Sequence, residues 1–109
     1  MSVTLFQLRV YDATRLVPRG KVTTYKLIAE FIGCRCCQAV GQALRRNPFA
    51  PAVPCHRVIA SDLTLGGFGG AREGGNIKNK EKLLKNEGVR FKNGRLADRS
   101  QLFTFDVLR

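Results

Sequence analysis

The chain's only histidine directly follows a cysteine, in the run Pro54-Cys55-His56-Arg57-Val58-Ile59. A free cysteine is mostly thiol near neutral pH, and only the thiolate attacks well. A neighbouring histidine can take the proton or stabilise the anion, and a carboxylate behind the histidine would orient it. Adjacent residues on an extended chain point to opposite faces, so Cys55 and His56 would need a bend or a bridging water to act together. The dipeptide alone leaves three readings open. Cys55 is a nucleophile, a metal ligand, or a buried cysteine beside a hydrogen-bonded histidine, which is the usual fate of a free cysteine.

The other cysteines are Cys34, Cys36 and Cys37. Three thiols within four residues make a poor disulfide framework, and all four cysteines read as reduced. Zinc sites pair their ligands at regular spacings, and this arrangement lacks the second pair, so no metal is expected. Cys34, Cys36 and Cys37 read instead as packing residues at the start of a helix. The 109 residues carry 19 Lys and Arg against 8 Asp and Glu, a net charge of +11. Such an excess points to a polyanion, because a basic face gains by releasing the counterions of a phosphate backbone. A membrane surface would favour one basic amphipathic helix, but here the charge is spread along the chain. No run approaches the roughly 20 apolar residues of a membrane span, and no signal peptide is legible at the start. The expected setting is the nucleus in a eukaryote and otherwise the cytoplasm.

The elements that must position Cys55 follow from apolar spacing. Phe6, Val10, Ala13 and Val17 predict an amphipathic helix over residues 4–17, stopped by Pro18 and Gly20. Thr23 or Thr24 is placed to cap a second helix, whose apolar face is Leu27, Ile28, Phe31 and Ile32 and whose end is Gly33. Ala39, Val40, Ala43 and Leu44 mark a third helix that ends before Asn47-Pro48. Two short helices joined by a tight turn form a helix-turn-helix pattern, in which the second helix commonly enters a DNA groove. Arg35, Arg45 and Arg46 lie on or beside that helix. Residues 48–54 hold three of the four prolines and are expected to be extended and rigid. A short strand is expected over residues 57–60, then a glycine-rich loop over residues 65–75. Ile77, Lys80, Leu84 and Glu87 form one stripe of a fourth helix closed by Gly88. Asn93-Gly94 predicts a two-residue hairpin turn, and the tail Ser100–Leu108 is expected to add a strand or to pack loosely. The chain thus reads as one domain over residues 1–109, mostly α with short β elements.

Ordered matches across this plan carry more weight than any one of them. They are Tyr25-Lys26-Leu27-Ile28-Ala29, Ala39-Val40-Gly41-Gln42-Ala43, Asn47-Pro48, Pro54 to Val58, Phe68-Gly69-Gly70, Lys80, Leu83-Leu84 and Glu87-Gly88. Together they resemble the DNA-binding domain of the 6-O-alkylguanine-DNA alkyltransferases, the methylated-DNA-protein-cysteine methyltransferases, over roughly residues 4 to 92. The resemblance implies a winged helix-turn-helix that binds double-stranded DNA and flips an alkylated guanine into a pocket, as enzymes acting on single bases generally must. It implies Cys55 as the irreversible acceptor of the alkyl group, His56 as a base acting through a water, and Glu87 orienting His56. Asn47 would hold the turn that supports the site, and Tyr25 would sit near the flipped nucleotide's phosphate; independently, the chemistry of displacement needs a donor for the departing guanine, and the Tyr25 hydroxyl is the candidate. Backbone groups of Cys55 and Val58, with Phe68 and Gly69, would line the guanine pocket. Gln38, Ala39, Gly41, Arg35, Arg45 and Arg46 would face DNA. No cofactor is implied, and the protein is expected to act as a monomer.

Several positions depart from the family pattern. Gln38 stands where an arginine is usual, Phe68 stands where tyrosine is common, and the loop between Gly70 and Lys80 is longer than usual. Ala50 and Ala52 would leave the pocket wall roomy. The family's separate N-terminal domain has no counterpart in these residues. Two other functions compete with alkyl transfer. One is a non-catalytic lesion sensor of the alkyltransferase-like kind, which hands damage to downstream repair proteins and typically carries tryptophan or another residue in place of the nucleophile. The other is a helix-turn-helix transcription factor, which would explain the charge but not the joint occurrence of Asn47, Pro54 to Ile59 and Glu87.

Overall fold

The computed structural model describes residues 3–49, 52–65 and 75–106, with side chains described from residue 78 onward in the last segment. Helix α1 (Leu5–Arg15) starts at Thr4, whose side chain and that of Gln7 form a reciprocal capping box. Its core face is Val10, Tyr11, Ala13 and Thr14. The Thr14 hydroxyl donates back to the Val10 carbonyl at 2.7 Å and so needs no outside partner. Strand β1 (Thr23–Thr24) leads directly into α2 (Tyr25–Ile32). Thr24 caps α2 by accepting from Leu27 N at 3.1 Å, and Gly33 closes it in the left-handed region at φ 77°. Helix α3 (Cys37–Arg45) completes a three-helix unit around Val10, Ile28, Val40, Ala43, Leu44, Val53 and Val58.

Strand β2 (Val58–Ile59) pairs in parallel with β1, Thr23 opposite Val58 and Thr24 opposite Ile59. This pairing ties the start of α2 to the segment just after Cys55. Helix α4 (Gly75–Asn86) follows, then an antiparallel hairpin of β3 (Phe91–Lys92) and β4 (Arg95–Leu96). Asn93 and Gly94 both have positive φ, as a two-residue hairpin turn of this hand requires. A second apolar cluster of Val22, Ile59, Leu84, Val89 and Leu96 joins α4 and the hairpin to the sheet. The architecture is mostly helical with small strands, in keeping with a winged helix-turn-helix in which α2 and α3 form the paired helices and β3–β4 the wing.

Three expectations need correction. Residues 52–54 are not an extended rod. The chain folds back so that Val53 N donates to the Phe49 carbonyl at 3.0 Å, and the stretch then runs into a 3-10 helix over Cys55–Arg57. The strand expected over residues 57–60 is only the two residues of β2, because Arg57 belongs to that helix. The tail is anchored rather than loose. Leu102 bridges Val22, and Phe105 is fully buried and stacks on Phe31 with ring centroids 4.6 Å apart. Phe68, Gly69, Ala50 and the glycine-rich loop lie outside the described residues.

Candidate active site and nucleic-acid interface

Cys55 opens the 3-10 helix, its own N–H held by the Val53 carbonyl at 2.9 Å. At about three residues per turn, side chains splay by roughly a third of a circle rather than alternating. The bend that Cys55 and His56 need is therefore built into the backbone. Cys55 is partly exposed, whereas His56 is buried at 6% exposure. The imidazole Nε2 lies 3.0 Å from Glu87 Oε2. With the proton on Nε2, the ring donates to the carboxylate and presents Nδ1 as an acceptor.

Glu87 sits one residue beyond α4, where Gly88 turns the chain at φ 87°. Its side chain is only 8% exposed. Arg57 grips it with a two-pronged fork, Nε to Oε1 at 2.9 Å and Nη2 to Oε2 at 2.8 Å. The third arm of the guanidinium donates to the Val17 carbonyl at 3.0 Å, just past the end of α1. Burial pushes the Glu87 carboxyl up, but hydrogen bonds from Arg57 and His56, together with their charges, outweigh it and hold the group below its ordinary value. Glu87 is thus a fixed anion behind the histidine. Gly20 belongs to the same junction. It adopts φ 87°, and a Cβ there would come within 3.3 Å of the Glu87 carbonyl.

Asn47 spans the turn ahead of Cys55. Its amide donates to the Val53 carbonyl at 2.9 Å and its carbonyl accepts from Phe49 N at 2.9 Å. Tyr25 stands at the first position of α2, where the β1–β2 pairing delivers it. Val58 is fully buried, and its carbonyl accepts from Lys80 Nζ at 2.6 Å. Lys80 itself is fully buried. Its ammonium lies 5.9 Å over the Tyr25 ring and is attracted by Cys55. Burial lowers the Lys80 pKa to about 8, and the attraction of Cys55 works against that fall.

The residues expected to face DNA occupy α3 and its flanks. Arg35, Gln38, Arg45 and Arg46 are exposed, and Ala39 and Gly41 are half-buried. Gly41 faces the Tyr25 ring at an ordinary contact distance, 4.0 Å from the position of a Cβ. Cys36 and Cys37, expected to pack, are both exposed at the N-terminus of α3, and only Cys34 joins the core margin. No group of three potential metal ligands is poised together among the described residues. Nor is any described helix long and apolar enough to cross a membrane.

Three site neighbours were not singled out by the sequence. Arg57 and Lys80 appear there only as members of a motif and of a helical stripe. Tyr11 reads as nothing in particular, yet its hydroxyl donates to the Ala43 carbonyl of α3 at 2.7 Å. Burial and Cys55 raise its pKa, and Arg46 lowers it. A buried lysine at a polar position of an apolar stripe is the one sequence signal available, and it becomes a signal only once the partner face is known.

Residues 5–89 match the family model for the 6-O-methylguanine DNA methyltransferase DNA-binding domain. The chain belongs to that family. A methylated-DNA-protein-cysteine methyltransferase of Methanothermobacter thermautotrophicus is 44% identical over 86 residues, 79% of this chain and 46% of that protein. One of Pyrobaculum aerophilum is 47% identical over 73 residues, 67% of this chain and 45% of that protein. The chain thus spans about half the length of these relatives. Among solved structures, Mycobacterium tuberculosis OGT in complex with DNA superposes with a TM-score of 0.70 at 41% identity, over 79% of this chain and 51% of that one. S. pombe Atl1, in complex with damaged DNA containing O6-carboxymethylguanine, superposes with a TM-score of 0.79 at 29% identity, over 94% of this chain and 98% of that one. Both of these solved structures are complexes with DNA.

Proposed function

We propose that the chain repairs alkylated guanine in double-stranded DNA by taking the 6-O-alkyl group irreversibly onto Cys55. The observation that carries this reading is the partly exposed Cys55 beside a histidine whose Nε2 is held 3.0 Å from a buried carboxylate. A flipped base would bring its alkyl carbon to the sulfur. The thiol proton passes through a water to His56 Nδ1, and Glu87 stabilises the imidazolium. The thiolate then forms an S–C bond as the C–O bond breaks. The bonding pair leaves with the guanine oxygen, and one proton returns to the base, with the Tyr25 hydroxyl stabilising its departure. The products are guanine and a thioether, whose C–S bond water does not cleave, so each molecule acts once. Asn47 keeps the turn that presents Cys55, and backbone groups of Cys55 and Val58 line the base pocket. Arg35, Gln38, Ala39, Gly41, Arg45 and Arg46 form the DNA face.

The test is the intact mass of the protein after incubation with a duplex bearing one 6-O-methylguanine, followed by peptide mapping. A stoichiometric gain of one CH2 on Cys55, lost in Cys55→Ala while DNA binding persists, is expected, because phosphate contacts supply most of the affinity. A gain mapped elsewhere, or none, overturns the assignment. A second reading has its own support. The Atl1 likeness runs over nearly the whole of both chains, and Gln38 lacks the charge usual at its position. A lesion sensor would bind the methylated duplex selectively with no gain in mass.

A further inference from the structure

The solvent side of α1 carries more apolar surface than a helix packed on one core needs. Leu5 is 67% exposed, Leu16 44% and Leu8 40%. The core face of the helix lies elsewhere, at Val10, Tyr11, Ala13 and Thr14. Leu16, the C-cap, still has helical backbone angles. At about 3.6 residues per turn, Leu5, Arg9, Asp12 and Leu16 therefore fall within an arc of about 60°, in one stripe about 16 Å long. Arg9 and Asp12 are both exposed. The Asp12 side chain keeps 72% exposure although Arg15 reaches it at 3.1 Å, and Arg9 has no ion pair among the described residues. Beside the stripe runs an open groove of about 430 Å³, lined by Arg9, Asp12, Ala13 and Leu16 and by Phe31 and Ile32 of α2.

The stripe is its own complement. Its spacings are four, three and four residues, the same read from either end, and its chemistry runs apolar, positive, negative, apolar. Across a twofold axis, where residue i of one copy meets residue j of the other, j also meets i. In place of the monomer expected from the sequence, we propose that this stripe is a self-association surface on which a second copy of the chain docks antiparallel. Each Arg9 faces Asp12 of the other copy, and each Leu5 faces the other copy's Leu16. Leu5, the most exposed apolar side chain of the helix, is thereby set against the groove at Leu16, Phe31 and Ile32. Parallel docking would set Arg9 on Arg9 and Asp12 on Asp12, so the charges select the antiparallel arrangement. The surface is small, which makes the dimer weak and fast-exchanging rather than permanent. Repulsion between two copies of net charge +11 weakens it further and is screened by salt.

The experiment is sedimentation equilibrium of the full chain without DNA, at protein concentrations up to about 1 mM in about 0.15 M salt. The wild type should move from its monomer mass of 12.1 kDa towards twice that value as concentration rises. Arg9→Asp and Asp12→Arg each set like charges opposite one another in both symmetry-related pairs. Each should raise the dimer dissociation constant by about tenfold or more. An equimolar mixture of the two variants should associate as the wild type does, because one then presents two negative groups and the other two positive ones. Both changes in one chain restore the pairs and should also give the dimer. A wild type that stays monomeric overturns the proposal and leaves the stripe to a different chain. So does a dimer that either single reversal leaves intact, or a mixture of the two folded variants that stays monomeric.

Discussion

Glu87 concentrates three interactions in one carboxylate, and its replacement separates charge from shape. Glu87→Gln keeps the size but cannot accept on both atoms from the Arg57 fork and His56. Methyl transfer should slow at least tenfold with little change in DNA affinity, as a comparison of single-turnover rates and duplex binding will show. The pH dependence of stability follows from the lowered pKa. Because the folded value lies below the unfolded 4.5, this group's stabilisation is complete above that value and is lost as pH falls through the folded one. The variant should therefore lose less stability between pH 5 and acid than the wild type does. Lys80 runs the other way. Its folded pKa of about 8 lies below the ordinary 10.5, so the unfolded chain binds more protons between the two. The penalty for burying the charge is full below pH 8 and fades as pH rises towards 10.5. The stability of Lys80→Met relative to the wild type, followed in urea titrations, should therefore fall as pH rises from 8 towards 10.5.

At the scale of elements, two adjacent threonines in β1 make opposite predictions. Thr24 caps α2 through its hydroxyl, and Thr24→Ala should cost about 1 kcal/mol. Thr23 is fully buried, and its hydroxyl is the one buried side-chain oxygen or nitrogen without a hydrogen-bond partner among the described residues. Thr23→Val keeps the β-branched shape and removes that hydroxyl, so it should gain about 1 kcal/mol. Urea unfolding of both variants separates cap from orphan. The same pair marks what the sequence could and could not reveal. The cap was legible because it depends on residues three apart, as were the Gly33 stop and the Asn93-Gly94 turn. The β1–β2 pairing was not, because two-residue strands leave no period and their partners lie 35 residues apart, Thr23 to Val58. The 3-10 helix at Cys55 was hidden by its prolines, which suggest extension on their own. The segment bends because Asn47 and Phe49, upstream, supply partners for the Val53 backbone. For the same reason His56 and Glu87 could be associated only through family resemblance. Arg57, which locks Glu87 to the end of α1, was legible only as a member of the Pro54 to Val58 match, with no sign of that role.

For the molecule as a whole, the charge makes its own prediction. Net charge +11 is spread along the chain, and part of it flanks the two ends of α3. Arg35, Arg45 and Arg46 are all exposed on or beside α3. Each phosphate neutralised by such a group releases condensed counterions, and the logarithm of affinity falls with the logarithm of salt at about −0.9 per contact on duplex DNA. Three arginines alone set an expected slope near −3, and further contacts steepen it. Arg45→Ala with Arg46→Ala should flatten it by about 2 and weaken methylated and unmethylated duplexes alike, because phosphate contacts position without discriminating. Gln38→Arg should act differently if that position enters the duplex. It should raise affinity for the lesion duplex more than for the undamaged one, whereas a mere phosphate contact would raise both alike and steepen the slope by about 0.9. Fluorescence anisotropy on matched duplexes over a salt series measures all three quantities. A slope near zero would mean that the basic face meets something other than DNA. A slope near −3, flattened by about 2 in the double variant, would make α3 the docking surface and leave discrimination to the pocket behind it.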